Sequence, residues 1–198
     1  MGEDIGITAV TGEAIRPFIP DAARLRIAVF REYPYLYDGS MAYEEKYLRT
    51  YSESPGSLFV IAHDGDRVIG VSTAMPLQHE TEEVQRPFRE AGVPVQEVFY
   101  FGESVLEAEY RGQGIGVRFM QEREAHARRT PGIRKVAFCA VDRPPDHPLR
   151  SADYVSLDAF WQRRGFTKTA LTTEFSWKET GEAEESLKRM QFWWKGLE

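Results

Sequence analysis

The sequence contains a single cysteine, Cys139, among 198 residues. One cysteine excludes an internal disulfide framework and is compatible with a reducing compartment. Because Cys139 lies within an apolar run, we interpret it as a small buried hydrophobic residue rather than as a nucleophile. The four histidines have no metal-ligand spacing, so the pattern predicts no metal site.

Long apolar runs and an excess of basic residues are also absent. No run approaches the ~20 residues that span a bilayer, and the first residues lack the basic and apolar regions of a signal peptide. The formal charge of −6 argues against a nucleic-acid partner and suits a cationic substrate. We therefore expect a cytoplasmic protein with no membrane partner, folded as a single domain over residues 1–198.

Hydrophobic periodicity and turn residues predict the order β α β β α β α β α β β. The first helix should place Leu25, Ala28 and Val29 on one buried face, and the turn at 64–66 indicates an antiparallel hairpin. The run 133–141 is apolar on both faces, which is typical of a central strand with a parallel neighbour. The other predicted strands are 5–10, 57–63, 67–75, 97–106, 169–177 and 189–195, and the later helices are 80–91, a helix ending near 129, and 157–164.

A glycine-rich turn follows the strand at 97–106. Gly112, Gly114 and Gly116 have no side chains that would keep a phosphate away from backbone N–H groups. The helix that follows presents unpaired N–H groups and the positive end of its dipole, and Arg111 adds a charge. The segment therefore predicts an anion cradle.

Spacing separates the phosphate sites that such a turn could form. A nucleoside-triphosphate loop needs a Lys-Ser/Thr pair, which is missing here. A dinucleotide fingerprint needs Gly-x-Gly-x-x-Gly in the first unit of a parallel sheet, whereas this turn lies in the middle of the chain. A glycine-rich connector without a ligand is the plain alternative.

The motif Arg111-x-x-Gly114-x-Gly116 after a strand resembles motif A of the GCN5-related N-acetyltransferases. The similarity covers nearly the whole chain and includes the terminal hairpin. It implies that family's α/β fold, a mixed and mostly antiparallel sheet with a parallel pair in the middle and flanking helices. It also implies acetyl-CoA as co-substrate, without a metal. The residues that would contact its pyrophosphate are Arg111, Gly112, Gln113, Gly114, Ile115, Gly116 and Val117.

Gly102, inside the preceding strand, predicts a bulge or a close backbone approach. In similar acetyltransferases this strand is bulged and diverges from its neighbour, and the pantetheine arm hydrogen-bonds in the gap. The resemblance implies that the backbone of Ser104, Val105 and Leu106 makes these contacts. An ordinary packed strand pair is the alternative.

Acyl transfer to an amine requires that the ammonium lose a proton. Glu103 is the candidate catalytic residue, either as the base or as a carboxylate that orients the acceptor. Its aromatic neighbours in sequence predict that desolvation raises its pKa.

The family's usual acid, a tyrosine four residues before Gly165-Phe166, is replaced here by Trp161. An indole N–H is too weak an acid for that role. Tyr154 and Ser156 are the candidates to assist the departing thiolate, which could also leave through water. Trp161 is interpreted either as a cofactor contact or as a core aromatic residue.

The acceptor pocket is expected in the segment 33–45 and in the proline-rich loop after the central strand. Tyr33, Tyr35, Tyr37 and His147 are the candidate contacts with a small-molecule or peptide amine, although aromatic residues at this spacing also pack as a lid. We predict direct acetyl transfer without an acyl-enzyme. The alternative is a non-catalytic acyl-CoA sensor or partner-binding module. Exposed edge strands and an aromatic terminal hairpin make a homodimer reasonable.

Overall fold

The computed structural model describes residues 5–197, in which seven strands form one mixed sheet. The strands are β1 (Gly6–Val10), β2 (Leu58–Asp64), β3 (Arg67–Pro76), β4 (Val98–Leu106), β5 (Lys135–Val141), β6 (Thr167–Trp177) and β7 (Ser186–Gly196). The helices are α1 (Ile19–Phe30), α2 (Met41–Glu53), α3 (Glu82–Glu90), α4 (Ile115–Arg129) and α5 (Asp158–Gln162). Short 3₁₀ turns lie at 12–18, 77–79, 95–97 and 108–110.

The strands follow the order β1-β2-β3-β4-β5-β7-β6 across the sheet. Every neighbouring pair is antiparallel except β4 and β5, which are parallel. The predicted fold class is therefore confirmed, including the parallel pair in the middle. A homodimer through the sheet edges, β1 and β6, stays a prediction.

The predicted order of elements has no helix between α1 and β2. This was wrong, because α2 lies between them. Ser40 caps this helix by accepting a hydrogen bond from the Tyr43 N–H at 3.4 Å. The buried face carries Leu48 and Tyr51 but also Glu44, which is fully buried. A carboxylate on the inner face interrupts the apolar periodicity that would have indicated a helix.

Smaller errors concern element ends and one helix face. The helix α1 begins at Ile19 with proline in its first turn, and its buried residues include Ala22 and Leu25, whereas Ala28 is exposed. The last strand begins at Ser186, three residues before the predicted start at 189. Such end shifts are normal, because helix and strand termini have weak sequence signals.

The two faces of the sheet pack against different helices. Phe99 and Phe101 of β4 contact a core that includes Phe119 of α4. Tyr100 and Val105 lie in the cores of the opposite face, with α3 in one and with α1 and α2 in the other. The sheet therefore separates a side covered by α4 and α5 from a side covered by α1, α2 and α3.

The predicted irregularity at Gly102 is present as a β-bulge. Ser72 pairs with Ser104, but Ala74, two residues further along β3, pairs with Phe101, so β4 contains an extra residue. A Cβ at Gly102 would lie 2.2 Å from the Tyr51 hydroxyl and 2.5 Å from the Thr73 hydroxyl. Only glycine allows this close approach.

The parallel pairing of β4 and β5 stops halfway along both strands. It covers Val98 with Lys135, Phe99 with Val136 and Tyr100 with Ala137. Beyond that point β4 continues to Leu106 and β5 to Val141 without pairing to each other. The two strands therefore diverge toward their carboxyl ends and are not joined by main-chain pairing along this gap.

Replacing Gly102 by alanine should lower the free energy of unfolding by about 1–3 kcal/mol, because the new methyl group overlaps two buried side chains. Urea unfolding followed by circular dichroism measures the change. Gly196→Ala is the control, since a Cβ there meets no atom within 4 Å, and it should change stability by less than about 0.5 kcal/mol. Equal stability of both variants would contradict the assigned packing.

Candidate active site

A cleft of about 1140 Å³ opens where β4 and β5 diverge. Its walls come from the ends of these two strands, the glycine turn and first turns of α4, the segment 33–35, and the loop and helix 150–161. Carboxyl ends of parallel strands commonly provide ligand sites in mixed sheets. The cleft contains most of the site residues predicted from the sequence.

The glycine turn forms one end of the cleft. Gly112 and Gly114 have φ angles of 80° and 83°, which are strained for other residues. Gly114 caps α4, and its carbonyl oxygen accepts the N–H groups of Val117 and Arg118. The N–H groups of Ile115 and Gly116 precede this first bond and have no partner within the helix. A Cβ at Gly112 or Gly114 would meet no atom within 4 Å, so these donors border open space.

Other predicted cradle residues contribute differently. The Arg111 guanidinium is half-exposed and lies 3.0 Å from a carboxylate oxygen of Glu32. Gln113 donates to the Glu109 carbonyl through its side chain, and the Ile115 side chain is buried in the core. Gln113 and Ile115 are therefore positioned to contact a ligand through their backbone only.

The gap between the strands presents the backbone of 104–106. Ser104 is exposed, and its hydroxyl accepts a 2.8 Å hydrogen bond from Arg123 of α4. Leu106 lines the cleft, whereas the Val105 side chain packs in the core of the other face. Val105 itself does not line the cleft and pairs with Val71 of β3, so the contact with the ligand implied for Val105 stays a prediction.

Arg123 is a site residue that the sequence interpretation missed. It is buried, stacks at 4.4 Å on the Phe101 ring, and donates to the carbonyl groups of Thr73 and Glu103. Burial lowers the pKa of its guanidinium to about 9, opposed by the Glu103 charge. The sequence does contain a signal for Arg123. It is spaced four residues from both Phe119 and Ala127, which places it on the apolar face of α4.

Glu103 lines the cleft on the side covered by α1 and α2. One carboxylate oxygen, Oε2, lies 2.7 Å from Nη1 of Arg26 and accepts a long hydrogen bond from the Tyr47 hydroxyl at 3.5 Å. The other oxygen, Oε1, is buried and has no hydrogen-bond partner among residues 5–197. Burial raises the pKa of Glu103, which Arg26 opposes and Glu44 reinforces. The expected direction of the shift is confirmed.

Arg26 joins two buried carboxylates. Its Nε donates to Glu44 and its Nη1 contacts Glu103, while the guanidinium lies over the rings of Phe30 and Tyr47. Tyr37 donates to the second Glu44 oxygen at 2.6 Å. Tyr37, a predicted acceptor contact, is therefore engaged with Glu44 and lies outside the cleft lining.

Of the remaining ring-bearing candidates, two line the cleft and one lies outside its lining. Tyr33 and Tyr35 line the cleft, and burial raises the pKa of Tyr35. The Tyr33 ring contacts Tyr154 edge-to-face at 4.7 Å and lies 5.6 Å from the His147 ring. His147 is outside the cleft lining, so it reaches the cleft only through Tyr33.

Tyr154 lines the cleft as predicted for the candidate acid. Desolvation raises its pKa, with further contributions from Tyr33 and Asp158, while Arg150 opposes the shift. The phenol therefore retains its proton at neutral pH. Ser156 also lines the cleft, but its hydroxyl donates to Asp158 at the start of α5.

Trp161 packs against the core and also lines the cleft, so its contact with the cofactor stays a prediction. Its ring packs 4.8 Å from Phe138 and 5.2 Å from Trp193, and it also lines the cleft. Cys139 lines the cleft with its sulfur 3.0 Å from the Tyr100 hydroxyl. Burial raises the pKa of the Cys139 thiol to about 12, so the thiolate needed for nucleophilic attack is scarce at neutral pH.

The part of the chain from 5 to 197 also lacks two kinds of feature. None of its helices has the length and apolar character to cross a bilayer. Within the same residues, no three histidine, cysteine or carboxylate side chains converge as metal ligands would.

These features together define a class of site. The glycine turn at the start of α4 and the gap between β4 and β5 lie in one cleft, and the buried Glu103 lines the same cleft. Such a site fits an extended ligand with a diphosphate at one end and a reacting group at the other.

The chain belongs to the Acetyltransferase (GNAT) family, whose model matches residues 23–166. Acetyltransferases of this family use acetyl-CoA. A search of curated proteins gives no match.

Solved structures that resemble this one are acetyltransferases. An acetyltransferase from Thermus thermophilus has a TM-score of 0.56 and 17% identity, with 100% of each chain covered. Ribosomal-protein-alanine N-acetyltransferase from Brucella melitensis has a TM-score of 0.62 and 16% identity, covering 97% of this chain and 99% of that one. The yncA protein of Salmonella typhimurium, solved with its cofactor acetyl-CoA, has a TM-score of 0.60 and 10% identity, covering 98% and 95%. At these identities the likeness establishes the fold alone.

Replacing Arg26 by glutamine should lower the free energy of unfolding by about 3–5 kcal/mol, because two buried carboxylates lose their cation. Urea unfolding at neutral pH measures the loss. Arg16→Gln is the matched control, since its pair with Glu13 is exposed, and should cost less than about 1 kcal/mol. If both variants unfold at the same urea concentration, Arg26 does not stabilise this cluster.

Proposed function

We propose that this protein transfers the acetyl group of acetyl-CoA directly to a primary amine of a small molecule or peptide. The observation that carries the proposal is the placement of Glu103, which lines the cleft where β4 and β5 diverge and whose buried Oε1 has no hydrogen-bond partner among residues 5–197. The glycine cradle lies in the wall of the same cleft. One elongated ligand can therefore contact both Glu103 and the glycine cradle.

The cradle would bind the pyrophosphate through N–H groups of the segment 112–117, with Arg111 adding positive charge. The backbone of Ser104, Val105 and Leu106 would hydrogen-bond the pantetheine arm in the gap, and Trp161 would contact the cofactor from the opposite wall. The support for this arrangement is that β4 and β5 are unpaired there. Acetyl-CoA supplies an activated thioester when it is bound.

Transfer requires the acceptor nitrogen to lose two protons, one before it attacks and one as the amide forms, and the carbon–sulfur bond to break. Glu103 is placed to orient the ammonium and to remove its proton, after which the nitrogen lone pair attacks the thioester carbonyl carbon. The carbon–sulfur bond then breaks, coenzyme A leaves as a thiolate, and the nitrogen releases its second proton to solvent to give the neutral amide. Tyr154, which retains its proton at neutral pH, is the candidate to protonate that thiolate directly or through water.

The acceptor is expected on the side of the sheet covered by α1 and α2. Tyr33 and Tyr35 border this part of the cleft, and aromatic faces suit a cationic or aromatic amine. His147 would contribute through Tyr33. That the Brucella structure is named as an alanine N-acetyltransferase makes a peptide amine worth testing.

A second function is favoured by one observation, the indole at position 161. Without the usual tyrosine, the same fold could bind acyl-CoA as a sensor or partner-binding module without turnover. A free-thiol assay with acetyl-CoA and a panel of amines, amino acids, peptides and aminoglycosides separates the two. Thiol release with an amine supports the enzyme, binding without release on any acceptor supports the sensor, and absence of binding contradicts both.

Gly114→Val should weaken acetyl-CoA binding at least about tenfold, because the side chain would occupy the space above the cradle N–H groups. Gly132→Val is the matched control, since Gly132 follows the other end of α4 with nearly the same φ, 82°, and open surroundings. Both substitutions impose the same backbone strain. Calorimetry that shows equal affinity for the two variants would remove the cradle from the binding site.

Glu103→Gln should lower kcat/KM for the amine about 10²-fold or more while the Kd for acetyl-CoA stays unchanged. A glutamine keeps the shape of the side chain but accepts no proton. The measurement is the rate of thiol release across pH, with calorimetry for acetyl-CoA. An unchanged kcat/KM at every pH would exclude Glu103 from the proton path.

A further inference from the structure

The aromatic wall on the acceptor side of the cleft lies on a segment outside the helices and strands. Tyr33 and Tyr35 line the cleft, and both belong to the connection between α1 and α2. Connections of this kind are mobile unless other elements hold their main chain. The position of this wall therefore depends on the contacts that the connection makes with the rest of the fold.

Arg143 makes several of these contacts with one side chain. It lies just after β5, in the proline-rich loop. Its Nε donates to the Pro34 carbonyl at 2.8 Å, and its Nη2 donates to the Tyr35 carbonyl at 3.2 Å. Nη2 also donates to the Glu179 carboxylate. The planar guanidinium suits several simultaneous bonds in a fixed geometry, which a lysine ammonium does not reproduce.

The hairpin of β6 and β7 holds the same segment from a second direction. Trp177, at the end of β6, donates its indole N–H to the Tyr35 carbonyl at 3.0 Å. The main chain of 36–38 forms two hydrogen bonds with that of 178–180, at 2.8 and 2.9 Å. The Tyr35 carbonyl therefore accepts from two side chains that come from different elements.

Glu179 anchors the Arg143 guanidinium against this hairpin. The Glu179 side chain is buried, and its Oε1 atom contacts both Arg143 and the buried Lys188 of β7, the latter at 3.7 Å. A buried carboxylate needs such partners to offset its desolvation. Arg143 thus joins three parts of the protein, which are the loop after β5, the segment 33–38 and the hairpin.

We propose that Arg143 is a positioning residue that holds the aromatic wall of the cleft in place and thereby sets the affinity for the acceptor amine. The inference rests on the proposed function. Arg143 lines the cleft, but its Nε and Nη2 atoms donate to protein oxygens, so it acts through Tyr33 and Tyr35. Its hydrogen bonds within residues 5–197 do not reach the glycine turn, so acetyl-CoA binding should not depend on it.

The sign of the effect distinguishes positioning from direct contact with the substrate. If the charge of Arg143 faced an ammonium ion directly, it would repel the substrate, and removing the charge would lower the KM for the amine. If Arg143 holds the wall in place, removing it should raise that KM, because a mobile wall must be ordered when the amine binds.

The first test is Arg143→Gln, measured as thiol release at saturating acetyl-CoA with the panel amine that gives the fastest turnover. The KM for the amine should rise about tenfold, while kcat stays within about threefold and the Kd for acetyl-CoA is unchanged. Arg189→Gln is the matched control and should keep the wild-type KM. Arg189 is exposed and outside the cleft lining, and it pairs with Asp142, the neighbour of Arg143 in sequence.

A second variant and a second measurement keep the test decisive if Arg143→Gln does not fold. Trp177→Phe removes the other side-chain donor to the Tyr35 carbonyl and keeps an aromatic ring. Its KM for the amine should rise in the same direction, by about threefold. Hydrogen exchange needs no substrate. The amides of 36–38 should exchange about tenfold faster in Arg143→Gln than in wild type, and faster in Trp177→Phe also, while those of α4 are unchanged.

The outcomes separate the two proposals. No thiol release with any amine would overturn the proposed function and, with it, the role of Arg143 in acceptor binding. Turnover with an unchanged or lower KM in the variants would overturn the role of Arg143 alone, as would a Kd for acetyl-CoA that rises as much as the KM. Unchanged exchange of the amides of 36–38 would show that Arg143 does not hold this segment, which also overturns its role.

Discussion

The divergence of β4 from β5 after Tyr100 is the constraint on which the rest of the structure depends. An antiparallel or parallel ladder normally satisfies its own main-chain groups, but here the bulge at Gly102 turns β4 toward β3 while β5 continues beside β7. The close approach of Gly102 to Tyr51 and Thr73 fixes the bulge from one side. Arg123 fixes it from the other by donating to the carbonyl groups of Thr73 and Glu103. The gap is therefore a built feature rather than a frayed end.

The bulge also determines where charge is buried. It places the Glu103 side chain on the face covered by α1 and α2, where Arg26 is the cation for both Glu103 and Glu44. Burying three charged groups has a large desolvation cost, and ion pairs recover it only when further hydrogen bonds are made. Tyr37 and Tyr47 make such bonds to the two carboxylates. The oxygen atom of Glu103 that remains unpaired is the point at which this cluster can accept a further donor.

Sequence reasoning located the parts of the site that depend on local chemistry. The positive φ angles at Gly112 and Gly114, the irregularity at Gly102 and the acidic residue beside it all have local signatures, and the structure contains each of them. The helix α2 was missed because Glu44 occupies its buried face. Arg26 and Arg123 were missed because their importance arises from tertiary neighbours far away in sequence. Tyr37 shows the opposite error. It lies in an aromatic segment that suggested a contact with the acceptor, but its hydroxyl donates to Glu44.

The replacement of the usual tyrosine by Trp161 becomes understandable when the two proton transfers are compared. An amine with a pKa of about 10.4 must lose its proton before attack, which costs about 4–5 kcal/mol at pH 7. A thiol has a pKa of about 8.5, so a thiolate is a far better leaving group and needs less assistance. In the proposed reaction the demanding step therefore lies on the acceptor side, where Glu103 is buried. On the cofactor side, Trp161 packs against Phe138 and Trp193 and lines the cleft with apolar surface. For the proposed reaction, ionisable groups are thus needed most on the acceptor side, where proton removal costs more, and a weaker or water-borne acid suffices on the cofactor side.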